Sequence, residues 1–342
     1  MARNFPPEWH PQDAILMAWP HKNTDWLYIL PEVTACFTNI ANEILNYQHL
    51  IIVTPDPEEV NRTFLNHTHS ERLHCFKIPT NDTWARDFGP ISVLTDGNPL
   101  LLNFKFNAWG MKFPANLDNH INRRHNEAHA FRAPMENHLD FVLEGGSIDS
   151  DGNGAVLTTS QCLLSENRNE NTPKQTLEGL LCNYLGARKI LFLRNGTLSG
   201  DDTDAHIDTL ARFAPGNTIL YTACYDMNDS HFIALQAMEQ ELKSFTNADG
   251  NPYNLIPLPL PDPIFDSEGN RLPATYANFL VINGAVLVPT YNQPHLDIEA
   301  LAIIGKAFPD RKIIGIDCTP LIQQHGSLHC VTMQLIKNSA QL

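Results

Sequence analysis

The sequence is short of positive charge and of long hydrophobic runs. Of 342 residues, 23 are Lys or Arg against 38 Asp or Glu, a formal net charge of −15. Such a chain disfavours nucleic acid and anionic membrane as partners and draws cationic ligands. Apolar stretches such as Ile15-Leu16-Met17-Ala18-Trp19 are too short to span a bilayer, and no basic stretch followed by a long apolar one opens the chain. A soluble, unsecreted, cytoplasmic protein is the expectation. No two cysteines stand as Cys-x-x-Cys. The seven (Cys36, Cys75, Cys162, Cys182, Cys224, Cys318, Cys330) are scattered and odd in number, which fits reduced thiols better than a disulfide framework or a structural zinc site. Linkers and low-complexity tracts are missing too, and a 43% hydrophobic content suffices for a large core.

What is present is a repeat. Four apolar or alternating runs are each broken by a glycine turn, the pattern of a hairpin: "ISVLTDGNPLLLNFKF", "SIDSDGNGAVLTTS", "LARFAPGNTILYTACY" and "NFLVINGAVLVPTY". Their glycines, Gly97, Gly152, Gly216 and Gly284, lie 55, 64 and 68 residues apart, too regular for unrelated hairpins. Between them the spacing predicts a helix and then a strand. "TPKQTLEGLLCNYLG", with Leu177, Leu180 and Leu181 on one face and Gly186 as its stop, precedes "ARKILFL". "SHFIALQAMEQELKSF" with "YNLIPLPL" and "DIEALAIIGKAF" with "RKIIGI" repeat this, and "EVTACFTNIANEIL" with "HLIIVTP" precedes the first hairpin. The closing "LHCVTMQL" would complete a unit with the first strand, "AILMAWP". The expectation is one α/β domain over 1–342, of about five hairpin-helix-strand units in a ring closed by pairing its two ends, an arrangement with few exposed sheet edges.

The segments just ahead of the hairpins carry the polar residues: "NDTWARDFGP", "FVLEGGS", "GDDTDAHID" and "PATYANF", and the last strand is expected to begin in "HGSLHC". Equivalent positions in a ring meet, so Asp82, Trp84, Arg86, Asp87, Glu144, Asp202, Asp204, His206, Asp208, His329 and Cys330 are expected around one cleft. Singly, Asp82, Asp201 and Asp202 read equally well as turn or capping residues, and the six cysteines before Cys330 read as packing. Cys330 differs by its company: His329, a Gly-Ser turn, and the acidic clusters with His206, which can hold a thiolate. "DNHINRRHNEAH", with His120, His125 and His129, lacks a ligand pattern and reads as a solvated loop or helix rather than a metal site. The weakly patterned stretch 107–140 around it reads as a lid.

One thiolate, one histidine and several carboxylates around a cleft argue against a thiol protease, because surplus carboxylates oppose the oxyanion of acyl transfer. They suit a planar cation. A guanidinium matches carboxylate oxygens two donors at a time, and Trp84 can stack on its face. Between Asp87 and Asp208, its central carbon is open to Cys330, with His206 as acid and base and Glu144 orienting His206 or binding a guanidinium nitrogen. Ammonia leaves, a thiouronium remains, and water releases a ureido product. The pattern asks for no metal and no cofactor. Carboxylates raise both the thiol and the imidazole pKa, so an alkaline-shifted or bell-shaped activity profile is expected.

In order, "NDTWARDFGP", "NFKFNAWG", "FVLEGGSI", "DAHID", "ATYANFLVINGAVLVP" and "LHCVTMQ" resemble the agmatine deiminase and bacterial-type peptidylarginine deiminase family of guanidine-modifying enzymes. The likeness runs over nearly the whole chain. It implies the pentein fold, a five-bladed α/β propeller of pseudo-fivefold symmetry, and metal-free guanidine hydrolysis. Cys330 would be the nucleophile, His206 the acid/base, Asp87 and Asp208 the guanidinium clamps, Glu144 a supporting carboxylate and Trp84 part of the pocket wall. Three loops depart from the family pattern. Gly-Gly-Gly-Asn-Ile-His-Cys is here "QHGSLHC", Asn-Gly-His-Val-Asp is "TDAHID", and Asn-Trp-Arg is Asp25-Trp26-Leu27. They bear on the group attached to the guanidine. Agmatine leads, its second charge facing Asp202 or Asp204; peptidyl-arginine follows; free arginine would need Arg86 for its carboxylate. Outside catalysis stands a pentein that binds a cation without turning it over. The expected partner is a small cationic guanidine, and a homo-oligomer is allowed.

Overall fold

A computed structural model describes residues 3–170 and 172–342. The four turn glycines take φ of 81°, 72°, 75° and 74°, a region closed to most side chains, and each joins two antiparallel strands. The pairs are Ile91–Thr95 with Asn98–Lys105, Ile148–Ser150 with Ala155–Thr159, Ala211–Ala214 with Thr218–Ala223, and Leu280–Ile282 with Ala285–Thr290. The second strand of each then takes a parallel neighbour: Met135–Val142, Lys189–Leu193, Asn254–Pro259 and Lys312–Asp317. A fifth sheet joins the two ends of the chain. Met333–Ile336 runs antiparallel to Gln12–Ala18, which pairs in parallel with His49–Thr54, and that strand with Leu73–Lys77. Among the described residues this gives five sheets of a mixed α/β fold.

Parallel strands need long crossovers; helices of eleven residues or more supply three of the four that follow hairpins, and shorter ones the first. Lys174–Leu185 buries Leu177, Leu181 and Leu185 and stops at Gly186, whose φ is 70°. Phe232–Leu242 and Pro294–Ala307 fill the same place in later units, and Leu30–Tyr47 packs Val33, Phe37, Ile40 and Ile44 before His49–Thr54. Strands covered on both faces read as unbroken apolar runs: every residue of Thr218–Ala223 is buried. No described helix is long and apolar enough to cross a membrane.

Two expectations change. The last strand begins only at Met333. Residues 328–332 form a turn in which the Thr332 hydroxyl donates to the carbonyls of Leu328 and His329, so Cys330 is presented from a turn rather than a strand. The His-rich stretch is half core: the short helix Ile121–Glu127 buries Ile121, Asn122 and His125, with His125 between Phe76 and Phe131. The Asn122 amide donates to the Phe88 carbonyl, which ties this helix to the segment carrying Asp87.

Candidate active site

Each sheet delivers its polar residue from the same place, the turn just ahead of a strand. Asp87 lies on the short helix Ala85–Phe88, Glu144 before the turn Gly145–Ser147, Asp208 in the turn Ile207–Thr209, Asn278 two residues before Leu280 and Cys330 three before Met333. Equivalent positions in successive sheets converge, so residues distant in sequence meet.

Cys330 Sγ lies 3.5 Å from Asn278 Oδ1 and 4.0 Å from Asp208 Oδ2. His206 stands between two carboxylates, Nδ1 3.7 Å from Asp87 Oδ1 and Nε2 3.8 Å from Glu144 Oε2. Asp87 accepts from the Gly146 backbone N–H at 3.0 Å and from the Trp109 indole at 2.9 Å. Glu144 accepts from the Arg168 guanidinium, with Cys162 Sγ 3.9 Å away. Cys162 is therefore packed as expected, yet against the site. All of these side chains are buried.

Burial, with His206 opposing and Asp208 and Glu144 assisting, pushes the Asp87 carboxyl up to about 6. Burial resists charge on His206, but Asp87, Cys162 and Glu144 outweigh it and hold the imidazole well above its ordinary range. Burial, Asp208 and Asp87 raise the Cys330 thiol well above its usual value. Asp208 is lowered: burial works against it, and the hydrogen bond from His329 prevails. Burial and the neighbouring carboxylates thus both favour the protonated thiol.

Above Cys330 and Asp87 opens a narrow cavity lined by Trp84, Trp109 and Phe113, with Asp25, Asp82, Asp202, Gln324, His325 and Gly326. Trp84 stacks obliquely on Trp26, centroids 5.5 Å apart, and donates to Asp82 Oδ2. The other oxygen of Asp82 is buried without a partner, and burial together with Asp25 pushes this carboxyl up to about 7. The three loops that depart from the family pattern all contribute to this lining, through Asp25, Thr203 and 324–326.

Two expected substrate contacts fall elsewhere. The Arg86 guanidinium donates to Gln334 Oε1 and the His329 carbonyl, beneath the cavity. Adjacent helical residues point about 100° apart, so Arg86 and Asp87 cannot face one space. Asp204 is engaged by Arg168 and Lys112. Asp201 accepts from Thr203 and Ala205 and is a turn residue, whereas Asp202 lines the cavity. Four site residues had no part in the sequence reading: Asn278, Trp109, Arg168 and Glu8. Asn278 was findable, since it holds in "PATYANF" the position that Asp208 holds in its own unit.

The chain matches the Porphyromonas-type peptidyl-arginine deiminase family over residues 4–335. A crystal structure from Porphyromonas gingivalis, provisionally designated an arginine deiminase, superposes with a TM-score of 0.95 at 51% identity, covering 99% of this chain and 100% of that one. A cysteine-to-serine variant of C. jejuni agmatine deiminase with substrate bound follows at 0.92 and 39%, covering 98% and 96%. The agmatine deiminase of Pseudomonas syringae pv. tomato is 30% identical over 355 residues, 97% of this chain and 95% of that protein. Fold and site together define a hydrolase of C–N bonds that acts on amidino groups. More narrowly, the chain belongs to the Porphyromonas-type peptidyl-arginine deiminase family.

Proposed function

We propose that the protein hydrolyses agmatine to its carbamoyl product and ammonia. The observation that carries the choice of substrate is the cavity lining: it includes Asp25, Asp82 and Asp202, and no lysine or arginine lines it among the described residues. A second cationic group is welcome there, and the carboxylate of free arginine is not. Asp87 and Asp208 hold the guanidinium, and Trp84 covers its face. Cys330 loses its proton to solvent and the thiolate adds to the central carbon. His206 gives a proton to the departing nitrogen, which leaves as ammonia, and a Cys330 thiouronium remains. His206 then takes a proton from water as that water adds to the adduct, and collapse, with loss of the remaining hydroxyl proton to solvent, expels the thiolate and leaves the ureido product. Glu144 orients His206. The five sheets support a five-bladed α/β propeller, one catalytic domain over 1–342 with the chain ends closing the ring, and seven free thiols suit a cytoplasmic setting.

Peptidyl-arginine is the second reading. An open groove of about 970 Å³, bordered by Tyr225, Phe265 and Arg271, adjoins the cavity at His325 and would accommodate a peptide. Ammonia and ureido product measured with agmatine, arginine and an arginine peptide decide between them, with agmatine expected to lead by at least about tenfold in kcat/KM. Cys330→Ala is expected to lower turnover by roughly a thousandfold or more; undiminished turnover would refute the mechanism.

A further inference from the structure

Beneath the cavity a line of buried ion pairs runs from the N-terminal segment to Asp208. His329 Nδ1 meets Asp208 Oδ2 and His329 Nε2 meets Glu8 Oε2, each at 2.7 Å. Glu8 is 5% exposed, His329 2% and Asp208 1%. Both ring nitrogens are thus engaged by carboxylates. Glu8 is itself fixed. Its Oε1 accepts from the Val281 N–H and its Oε2 from Arg212 at 2.6 Å, with Arg86 3.9 Å away. Burial works against its charge, and Arg212 and His329 outweigh burial. Asp208 Oδ2 is therefore engaged by His329, while its Oδ1 is buried with no hydrogen-bond partner.

We propose that Glu8 and His329 are positioning residues for Asp208, fixing its carboxylate through Oδ2 and leaving Oδ1 for the incoming guanidinium. The proposal rests on Asp208 being a guanidinium clamp. Both are needed because a ring held at one nitrogen can turn: Glu8, itself held by Arg212 and the Val281 N–H, anchors the far nitrogen and so fixes the near one against Asp208. Neither residue lines the substrate cavity; both border a small cavity on the opposite side, with Arg86 and Asp149.

The test is a double-mutant cycle on agmatine affinity, read by calorimetry in a Cys330→Ser background, with thermal unfolding followed in parallel. Glu8→Gln is expected to weaken binding about ten- to a hundredfold. Asp208→Asn should weaken it comparably, and the double variant should be no weaker than Asp208→Asn alone, because Glu8 acts through that carboxylate. Losses that multiply in the double variant, or a lower Tm with affinity unchanged, would overturn the proposal. An Asp208→Asn variant of undiminished affinity would instead refute the clamp, and the proposal with it. Should Glu8→Gln not fold, His329→Gln takes its place in the same cycle.

Discussion

Gly146 shows how closely the site is drawn together. A Cβ there would lie 2.7 Å from His206 Nδ1, 2.8 Å from Asp87 Oδ1 and 3.1 Å from Asp208 Oδ2. Only a backbone without a side chain can run between these groups and still donate its N–H to Asp87. Their crowding sets the pH dependence. Below about 6 Asp87 takes up a proton and loses the charge on which the proposed guanidinium clamp depends. His206 keeps its proton well beyond the ordinary imidazole range, and the Cys330 thiol ionises late. The profile of kcat/KM for agmatine is therefore expected to rise through pH 6, climb on into the alkaline range, and fall only where His206 deprotonates. Initial rates from pH 5 to 10 check this; a flat profile, or a maximum at pH 5, would contradict the assignment.

Secondary elements were the most legible level, because their signals are local. A turn glycine at positive φ and an apolar run need no distant partner, and all four hairpins lie where the pattern put them. The short helix Ile121–Glu127 was misread as solvated because its buried face carries Asn122 and His125, and polarity hid a core position. Neither His125 ring nitrogen has a hydrogen-bond partner, and burial pushes the imidazole down to about 3. A depressed folded pKa means that the unfolded chain binds a proton the native state refuses. Stability is lost as pH falls from about 6.5 towards 3, at about 1.4 kcal/mol per unit from this group alone. His125→Leu removes the proton site and two unpaired nitrogens while keeping contact with Phe76 and Phe131. Urea unfolding at pH 7.5, 6 and 5 should show the variant gaining on the parent by a margin that widens as pH falls. An equal difference at all three values would mean that His125 does not resist protonation.

Glu8 and Arg168 escaped the sequence reading because their roles exist only once the whole chain is assembled. Glu8 meets His329, which the sequence did single out, from the opposite end of the chain, and their hydrogen bond depends on Met333–Ile336 pairing with Gln12–Ala18. Arg168 reaches Glu144 from the loop between Ser160–Leu163 and Lys174–Leu185. Net charge, by contrast, was readable at once, and it acts on the molecule as a whole. A protein of formal charge −15 attracts a cation over distances that salt screens, the Debye length being about 10 Å at 0.1 M. Contacts at buried Asp87 and Asp208 are screened far less. Raising ionic strength from about 0.02 to about 0.5 M should therefore lower kcat/KM for agmatine several-fold and leave kcat nearly unchanged, since only capture uses the long-range field. Butylguanidine, which keeps the guanidinium and lacks the amine, isolates the share due to the second charge and should lose less. Equal losses for the two compounds would mean that Asp25, Asp82 and Asp202 take no part in receiving that amine, and salt independence for both would mean that the acidic surface does not assist capture.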